Sequence, residues 1–161
     1  MDIGQGVILE CNNLPTMHGF PLRERLEEAF CLRVRVDNDA NALILGEALY
    51  GAGRGYRSVL GFTLGTGIGA ARVEEGRIVR GATGSAGEIW LSPYRDGILE
   101  DFVSGNALRR RYSLRGGDSV DGAEIARRAA AREPAACRVW EEFTEALAFA
   151  LAWTVNLVDP D

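Results

Sequence analysis

The hydrophobic pattern is strongest around a glycine-rich stretch in the middle of the chain. Apolar residues run from Val59 to Leu64 and resume at Ile68, with glycines at alternate positions between the two runs. Short apolar runs bounded by turn residues are typical of strands. The pair Glu75-Gly76 then favours a tight turn before another strand. We therefore predict a β-hairpin over Arg57 to Arg80, within a mixed sheet of an α/β fold.

Helical periodicity elsewhere predicts the elements that accompany this hairpin. Apolar residues recur at helical spacing in the last part of the chain, and proline is suited to the first turn of a helix. The predicted helices are Leu22–Phe30, Leu99–Tyr112, a helix capped by Asp121 that ends at Ala131, and Pro134–Val158. We expect the helices of Leu99–Tyr112 and Pro134–Val158 to cover the hairpin. Alternating apolar and basic residues predict a half-buried strand over Leu32–Val36.

One further helix is preceded by more polar side chains than capping requires. The segment Ala42 to Tyr50 is apolar on nearly every side, which predicts a buried helix. It follows Asp37-Asn38-Asp39-Ala40-Asn41, and one or two such side chains would suffice as caps. The excess indicates a functional site, and the alternative is that all of these residues are caps. The glycine-rich segment Gly51 to Gly55 is a candidate boundary between two lobes.

The glycine-rich turn itself has two possible interpretations. Gly65, Gly67 and Gly69 alternate with Thr66 and Ile68. Glycine allows another group to approach the backbone closely, and successive N–H groups in such a turn can bind a phosphate. The Thr66 hydroxyl adds a donor at the same place. The alternative is a hairpin whose glycines only make a sharp bend, and the glycine pattern alone does not decide between the two.

Composition narrows the class of protein. The chain has 161 residues, is 47% apolar and 25% charged, and carries a net charge of −5, which fits one soluble domain or two small lobes. It has no basic cluster beyond a short arginine run, so nucleic acid is not a favoured partner. No signal peptide or membrane-spanning run is evident, and the few, widely spaced cysteines suit neither a disulfide framework nor a metal site. We therefore expect a cytoplasmic protein.

An ordered series of motifs resembles the ROK family, which comprises bacterial sugar kinases and sugar-responsive repressors of the actin/hexokinase-like fold. The series extends from Asn13-Leu14-Pro15 to Val155-Asn156-Leu157-Val158-Asp159-Pro160 and therefore covers nearly the whole chain. Between these ends lie Asp37 to Asn41, Gly46-Glu47, Thr63 to Gly69, Gly81 to Ile89 and Leu99-Glu100-Asp101. Each motif is modest alone, but their order is fairly specific.

The resemblance implies an ATP-dependent sugar kinase and a role for each matched residue. Asp39 matches the catalytic base that takes the proton from the sugar hydroxyl. The residues expected to bind the sugar are Asn13, Asn38, Glu88 and Glu100. The turn residues Gly65, Thr66, Gly67 and Gly69 would face the transferred phosphate of ATP, with Mg²⁺ as its counterion. Phosphoryl transfer depends on such positioning and on phosphate-binding donors rather than on covalent chemistry by the protein.

The sequence also departs from the family pattern. Leu91 stands where the family has a histidine that contacts sugar, and the cysteines of its zinc loop are absent. Because zinc needs about four such ligands, we expect no zinc. The family's first phosphate turn has no counterpart before Asp39, and its adenosine segment has none after Pro160.

These departures lead to expectations for the chain as a whole. We predict that residues 1–52 end an N-terminal lobe and that residues 53–161 begin a C-terminal lobe. We also expect that the chain alone is not a working kinase and that it self-associates as a homo-oligomer. The alternatives are a sugar-sensing module of a ROK repressor, which binds sugar without phosphorylating it, and a drifted, inactive relative.

Overall fold

The computed structural model describes residues 2–9 and 15–161. It divides into two compact units, Met1–Leu43 and Ile44–Asp161. The predicted lobe boundary near residue 52 therefore lies close to a unit boundary that falls within one helix. The assignment of residues 1–52 and 53–161 to two lobes of a larger fold stays a prediction.

The first unit contains a turn, a short helix and the start of a longer helix. A 3-10 turn spans Pro15–Met17, and helix α1 spans Leu22–Phe30, as predicted. Helix α1 ends because Cys31 adopts the left-handed conformation (φ 52°) and its N–H donates to the Glu27 carbonyl at 2.9 Å. Helix α2 then spans Asp39–Tyr50 and continues into the second unit.

The predicted strand Leu32–Val36 is not present. These residues form no strand pairing, and Leu32 is 68% exposed. The backbone N–H of Val34 donates instead to the Glu27 carboxylate at 2.9 Å. A strand needs a neighbour to complete its hydrogen bonds, and no described segment supplies one. The alternation of side chains was therefore not sufficient to make a strand.

The second unit is built on an antiparallel sheet with the order β1-β2-β3. Its strands span Ser58–Leu64 (β1), Ile68–Glu74 (β2) and Arg77–Ile78 (β3). Glu75 and Gly76 both have positive φ, 49° and 73°, which is the conformation of a two-residue type I′ hairpin turn. The predicted hairpin is confirmed. The expectation of a mixed sheet is wrong for the described strands, which all pair antiparallel. Short turns join them, whereas a parallel pair needs a long crossover.

The two faces of this sheet pack against different helices. On one face, Ile44 and Ala48 of α2 pack with Ala71 and Val73 of β2. On the other face, Ile68 of β2 packs with Ala146 and Ala150, which belong to helix α5, Pro134–Val158. Alternate residues of a strand point to opposite faces, so the hairpin contributes to both cores.

The helix predicted to be buried on all sides is buried on one side only. Ile44 and Ala48 are 4% and 9% exposed and face the sheet. Leu43 and Tyr50 of the same helix are 54% and 85% exposed. The nearly all-apolar sequence of residues 42–50 therefore indicated more burial than the structure provides.

The predicted helix Leu99–Tyr112 is divided. A short hairpin of β4 (Pro93–Tyr94) and β5 (Gly97–Ile98) leads into a 3-10 turn at Leu99–Asp101, and helix α3 spans Gly105–Ser113. Ser104 separates the turn from the helix, because its φ of −157° is extended and its Oγ accepts from the N–H of Ala107. Helices α4 (Gly122–Ala130) and α5 follow as predicted, and Asp121 caps α4.

Candidate functional site

The predicted site residues fall in both units. Asn38 and Asp39 belong to Met1–Leu43, whereas the glycine turn, Glu88 and Glu100 belong to Ile44–Asp161. Each group is therefore described by itself. Asn13 lies outside the described residues.

The polar segment at the start of α2 contains side chains that cap the helix and one carboxylate that is exposed. The side-chain oxygen of Asn38 accepts from the N–H groups of Ala40 and Asn41, at 2.9 and 3.3 Å, as an N-cap does. Asp37 accepts from the side-chain amide of the buried Asn41 at 3.0 Å. Both residues thus stabilise the start of the helix, and the capping interpretation is correct for them.

Asp39 differs from these neighbours. It is exposed at the first residue of α2, and its Oδ1 accepts from the N–H of Ala40 at 2.9 Å. Among the described residues, no hydrogen bond uses its other carboxylate oxygen. The helix dipole favours an anion at this position. The geometry is therefore compatible with a carboxylate that accepts a proton from a hydroxyl.

The glycine turn between β1 and β2 is fixed through its carbonyl groups. The N–H of Gly105 donates to the Gly65 carbonyl at 2.8 Å, and the N–H of Asn106 donates to the Thr66 carbonyl at 3.2 Å. Gly65 also donates to the carbonyl of Gly67 at 2.9 Å. The first residues of α3 therefore hold the turn in one conformation.

These contacts use the carbonyl groups of the turn and leave some of its N–H groups without an acceptor among the described residues. Within the described part of the chain, no hydrogen bond uses the N–H of Thr66 or Gly67, and Thr66 is exposed. Gly69 lies inside β2 opposite Thr63 and so belongs to the strand ladder. Two N–H groups and the Thr66 hydroxyl can therefore bind an oxyanion such as phosphate.

Glu100 lies directly beside this turn. A Cβ atom built on Gly67 would be 2.4 Å from Oε1 of Glu100, so only glycine leaves room for this carboxylate. The backbone at Glu100 is also fixed, because its carbonyl accepts from the Ser104 hydroxyl at 3.0 Å. The turn, with its N–H donors, and the Glu100 carboxylate, which can only accept hydrogen bonds when ionised, therefore lie side by side.

The neighbouring Asp101 stabilises the same 3-10 turn. It accepts from Arg110 at 2.8 Å and from the N–H of Ile98 at 3.1 Å. These hydrogen bonds, that of Arg110 first, lower the pKa of the Asp101 carboxyl. Asp101 is therefore held as an anion with its partners satisfied, and it is structural.

Glu88 is placed by a glycine and by a tryptophan. Gly87 has a φ of 95°, and a Cβ there would be 2.3 Å from the Ala70 carbonyl oxygen, so the chain passes tightly over β2. The indole N–H of Trp90 donates to Oε2 of Glu88. A hydrogen bond joins the segments that carry Glu88 and Glu100: the N–H of Leu99 donates to the Ser92 carbonyl at 2.9 Å.

Sequence reasoning missed Trp90 and Ser104. The pair Ser104-Gly105 does carry a signal, because serine is a preferred N-cap and could have divided the predicted helix. Trp90 carries no comparable signal, because its contact with Glu88 depends on the local turn.

Among the described residues, neither a metal-binding cluster nor a membrane-spanning helix is found. Within residues 2–9 and 15–161, no group of histidine, cysteine, aspartate and glutamate side chains could hold a metal ion. The expectation of no zinc stays a prediction. No helix in these ranges is both long and apolar enough to cross a bilayer.

Comparisons with known proteins agree on one family. A family model described as the ROK family matches residues 2–161. The N-acetyl-D-glucosamine kinase of Pectobacterium carotovorum is 32% identical over 168 residues, which cover 92% of this chain and 55% of that kinase. The chain spans about half the length of the curated relatives that it matches.

Solved structures give the same result. The ROK hexokinase of Thermus thermophilus superposes with a TM-score of 0.86 at 35% identity, over 99% of this chain and 56% of that one. The ROK family glucokinase of Streptomyces griseus, in complex with glucose and AMPPNP, gives a TM-score of 0.82 at 28% identity, over 99% and 59% of the two chains. The predicted α/β, actin/hexokinase-like fold is confirmed over this extent.

Proposed function

Because this chain belongs to the ROK family, we propose that it carries the sugar-binding and base-bearing part of a sugar kinase. The reaction transfers the γ-phosphate of ATP to a hydroxyl of a hexose or N-acetylhexosamine. The observation that carries the proposal is the contact between Glu100 and the glycine turn at Gly67. It puts a group suited to sugar hydroxyls beside a group suited to phosphate.

Glu88 and Glu100 are proposed to bind the sugar. Each is half-buried, and each lies on a segment joined to the other through Ser92 and Leu99. A carboxylate accepts hydrogen bonds in fixed directions and can bind hydroxyl groups. Asn38 and Asn13 are proposed as further sugar-binding residues on the strength of the family resemblance.

Asp39 is proposed as the general base. A base must lie within hydrogen-bond reach of the proton that it takes, and an exposed carboxylate with one uncommitted oxygen meets the chemical part of this requirement. The proton of the attacking hydroxyl would pass to Asp39 as the oxygen attacks phosphorus.

The residues of the glycine turn fit a phosphate group. ATP with Mg²⁺ would supply the transferred phosphoryl group, and the S. griseus relative was solved with AMPPNP. On this chain, the N–H groups of Thr66 and Gly67 and the Thr66 hydroxyl are the donors that would bind its oxygens. Such donors stabilise charge as it develops on the transferred group.

Titration calorimetry of the chain with D-glucose and N-acetyl-D-glucosamine tests the sugar site. We expect binding by the wild type, weakened at least about tenfold in Glu100→Gln because hydrogen bonds to a charged group are strong. The control is Glu141→Gln, since Glu141 is exposed on α5 and takes no part in the proposed site. If neither sugar binds the wild type, the proposal is wrong.

A second titration separates a kinase from a sensor. AMPPNP with Mg²⁺ should bind in the presence of sugar, and Thr66→Val should weaken that binding. A coupled ADP-release assay then measures turnover. Equal AMPPNP affinity of the wild type and Thr66→Val would show that the turn does not bind phosphate, and this would favour the repressor-type sensor instead.

Localisation, oligomeric state and the activity of these residues alone are also proposed. We expect a cytoplasmic homo-oligomer, and the exposed apolar side chains of Leu43 and Tyr50 support self-association. Light scattering at several concentrations measures the oligomeric state. It stays a prediction that these residues alone do not turn over ATP.

A further inference from the structure

Contacts of the backbone hold Glu88 in place independently of its side chain. Gly87 passes so close to Ala70 that no other residue fits there without displacement, and its positive φ favours glycine. The N–H of Glu88 donates to the Ser85 carbonyl at 3.2 Å. The Glu88 Cα is therefore fixed against β2, and only its side-chain torsions remain free.

Trp90 is itself well anchored. It lies in the 3-10 turn Ile89–Leu91 and packs against a buried cluster that includes Leu99, Phe102 and Val103. These cluster residues are at most 2% exposed. A large ring packed on a rigid cluster has few alternative rotamers. Its N–H is accordingly aimed in one direction.

That direction is the Glu88 carboxylate. The Trp90 indole N–H donates to Oε2 of Glu88, and no arginine or histidine among the described residues pairs with this carboxylate. An indole is a neutral donor, so it orients the carboxylate without neutralising its charge. The second oxygen, Oε1, accepts no hydrogen bond from the described residues.

From these contacts we infer that Trp90 is a positioning residue for sugar binding. It fixes the Glu88 carboxylate by holding one oxygen, so that the other oxygen faces the sugar hydroxyl in a set direction. The inference rests on the proposed function, since it gives Trp90 a role only if Glu88 binds sugar. Preorganising a binding group lowers the ordering cost of association, so loss of the indole N–H weakens binding.

The test is a double-mutant cycle measured by calorimetric titration with N-acetyl-D-glucosamine and D-glucose. Trp90→Phe keeps an aromatic ring but removes the donor, and we expect its sugar affinity to fall about tenfold. Glu88→Gln alone should also weaken sugar binding. In the Glu88→Gln background, Trp90→Phe should cost at most about twofold, because residues that act through each other are not additive.

Trp140→Phe is the matched control. Trp140 stacks on Phe143 in a different part of the core, so its replacement should leave sugar affinity unchanged. Sugar-dependent change in tryptophan emission should persist in Trp140→Phe and be lost in Trp90→Phe. Thermal melts of each variant show whether the fold is retained.

The outcomes are distinguishable. If the wild type binds neither sugar, the proposed function fails. If the wild type binds sugar and the two substitutions are additive, or if Trp90→Phe binds as tightly as wild type, the positioning role is wrong while the sugar site stands. A Trp90→Phe variant that fails to melt cooperatively is replaced by Trp90→His, which keeps a ring N–H and should recover part of the affinity.

Discussion

The Glu100 carboxylate and Gly67 are so close that a Cβ atom on the glycine would be 2.4 Å from Oε1. The atom in the way is the end of a flexible side chain, so a methyl group at residue 67 displaces the carboxylate and leaves the fold intact. This contact makes the glycine turn and the proposed sugar site mechanically dependent on each other.

Gly67→Ala should therefore weaken sugar binding about tenfold or more, since Glu100 loses its position and a hydrogen bond to a charged group is lost. The melting temperature should change little. The matched control is Gly65→Ala, because a Cβ there meets no atom within 4 Å. Equal sugar affinity of the two variants in calorimetric titrations would show that Glu100 does not contact the sugar.

Ser104 connects this contact to helix α3. Its hydroxyl accepts from the N–H of Ala107 at 2.9 Å and donates to the Glu100 carbonyl at 3.0 Å, and the residue is 3% exposed. Ser104→Ala should lower the free energy of unfolding by about 1–2 kcal/mol, because an N-cap is lost. Urea denaturation measures the loss, and Ser113→Ala, exposed at the other end of α3, should be near neutral.

The pH dependence of stability should depend in part on Glu124. Arg127 and then Arg128 donate to this carboxylate at 2.6–2.8 Å and lower its pKa from 4.5 to about 2. A lowered pKa in the folded state stabilises the protein above the unfolded pKa, and this contribution is lost as the pH falls from about 4.5 towards 2.

Glu124→Gln should consequently lower the melting temperature at pH 7 and make its decline below pH 4.5 shallower than in the wild type. Calorimetric melts between pH 2 and 7 in dilute buffer give the measurement, since salt screens exposed ion pairs. Glu141→Gln serves as the control. Parallel wild-type and Glu124→Gln profiles would exclude this contribution.

The hairpin was predictable because its signals are local. The Glu75-Gly76 turn, the apolar runs on each side, the Asp121 cap of α4 and the proline that starts α5 all act within a few residues, and the structure confirms each of them. Pro134 at the start of α5 and Asp121 before α4 likewise specify helix starts without tertiary contacts.

The predictions that were wrong concern segments whose structure depends on contacts with residues distant in sequence. Leu32–Val36 has the alternation of a strand but no described neighbour to pair with. The helix predicted from Leu99 is interrupted at Ser104, where Gly105 instead donates to the Gly65 carbonyl, 40 residues earlier in the chain. Periodicity does not contain such long-range contacts.

The candidate site shows the same division. The family resemblance identified Asp39, Glu88 and Glu100 as candidate site residues. It did not predict their environments, because the packing of Gly67 on Glu100 and the hydrogen bond from Trp90 depend on the folded structure. The structure alone distinguishes Asn38 as a cap from Asp39 as an exposed carboxylate.

Asp39→Asn tests the proposed base. The amide keeps the shape of the side chain and can still accept from the N–H of Ala40, but it cannot take a proton from a hydroxyl. In a form of the protein that turns over ATP, the rate in a coupled ADP-release assay should fall at least about a hundredfold. Sugar affinity in calorimetric titrations should stay within about threefold of wild type, because this prediction assigns Asp39 to proton transfer rather than to binding.

A control separates this effect from any loss of helix stability. Replacing a carboxylate at a helix start lowers stability by about 0.3–1 kcal/mol, and thermal melts measure that change directly. Glu47→Gln, an exposed residue of the same helix whose carboxylate accepts from the N–H of Ala52 at 3.0 Å, should lose some stability and keep its turnover. If Asp39→Asn retained wild-type turnover, Asp39 would be no more than the first residue of α2.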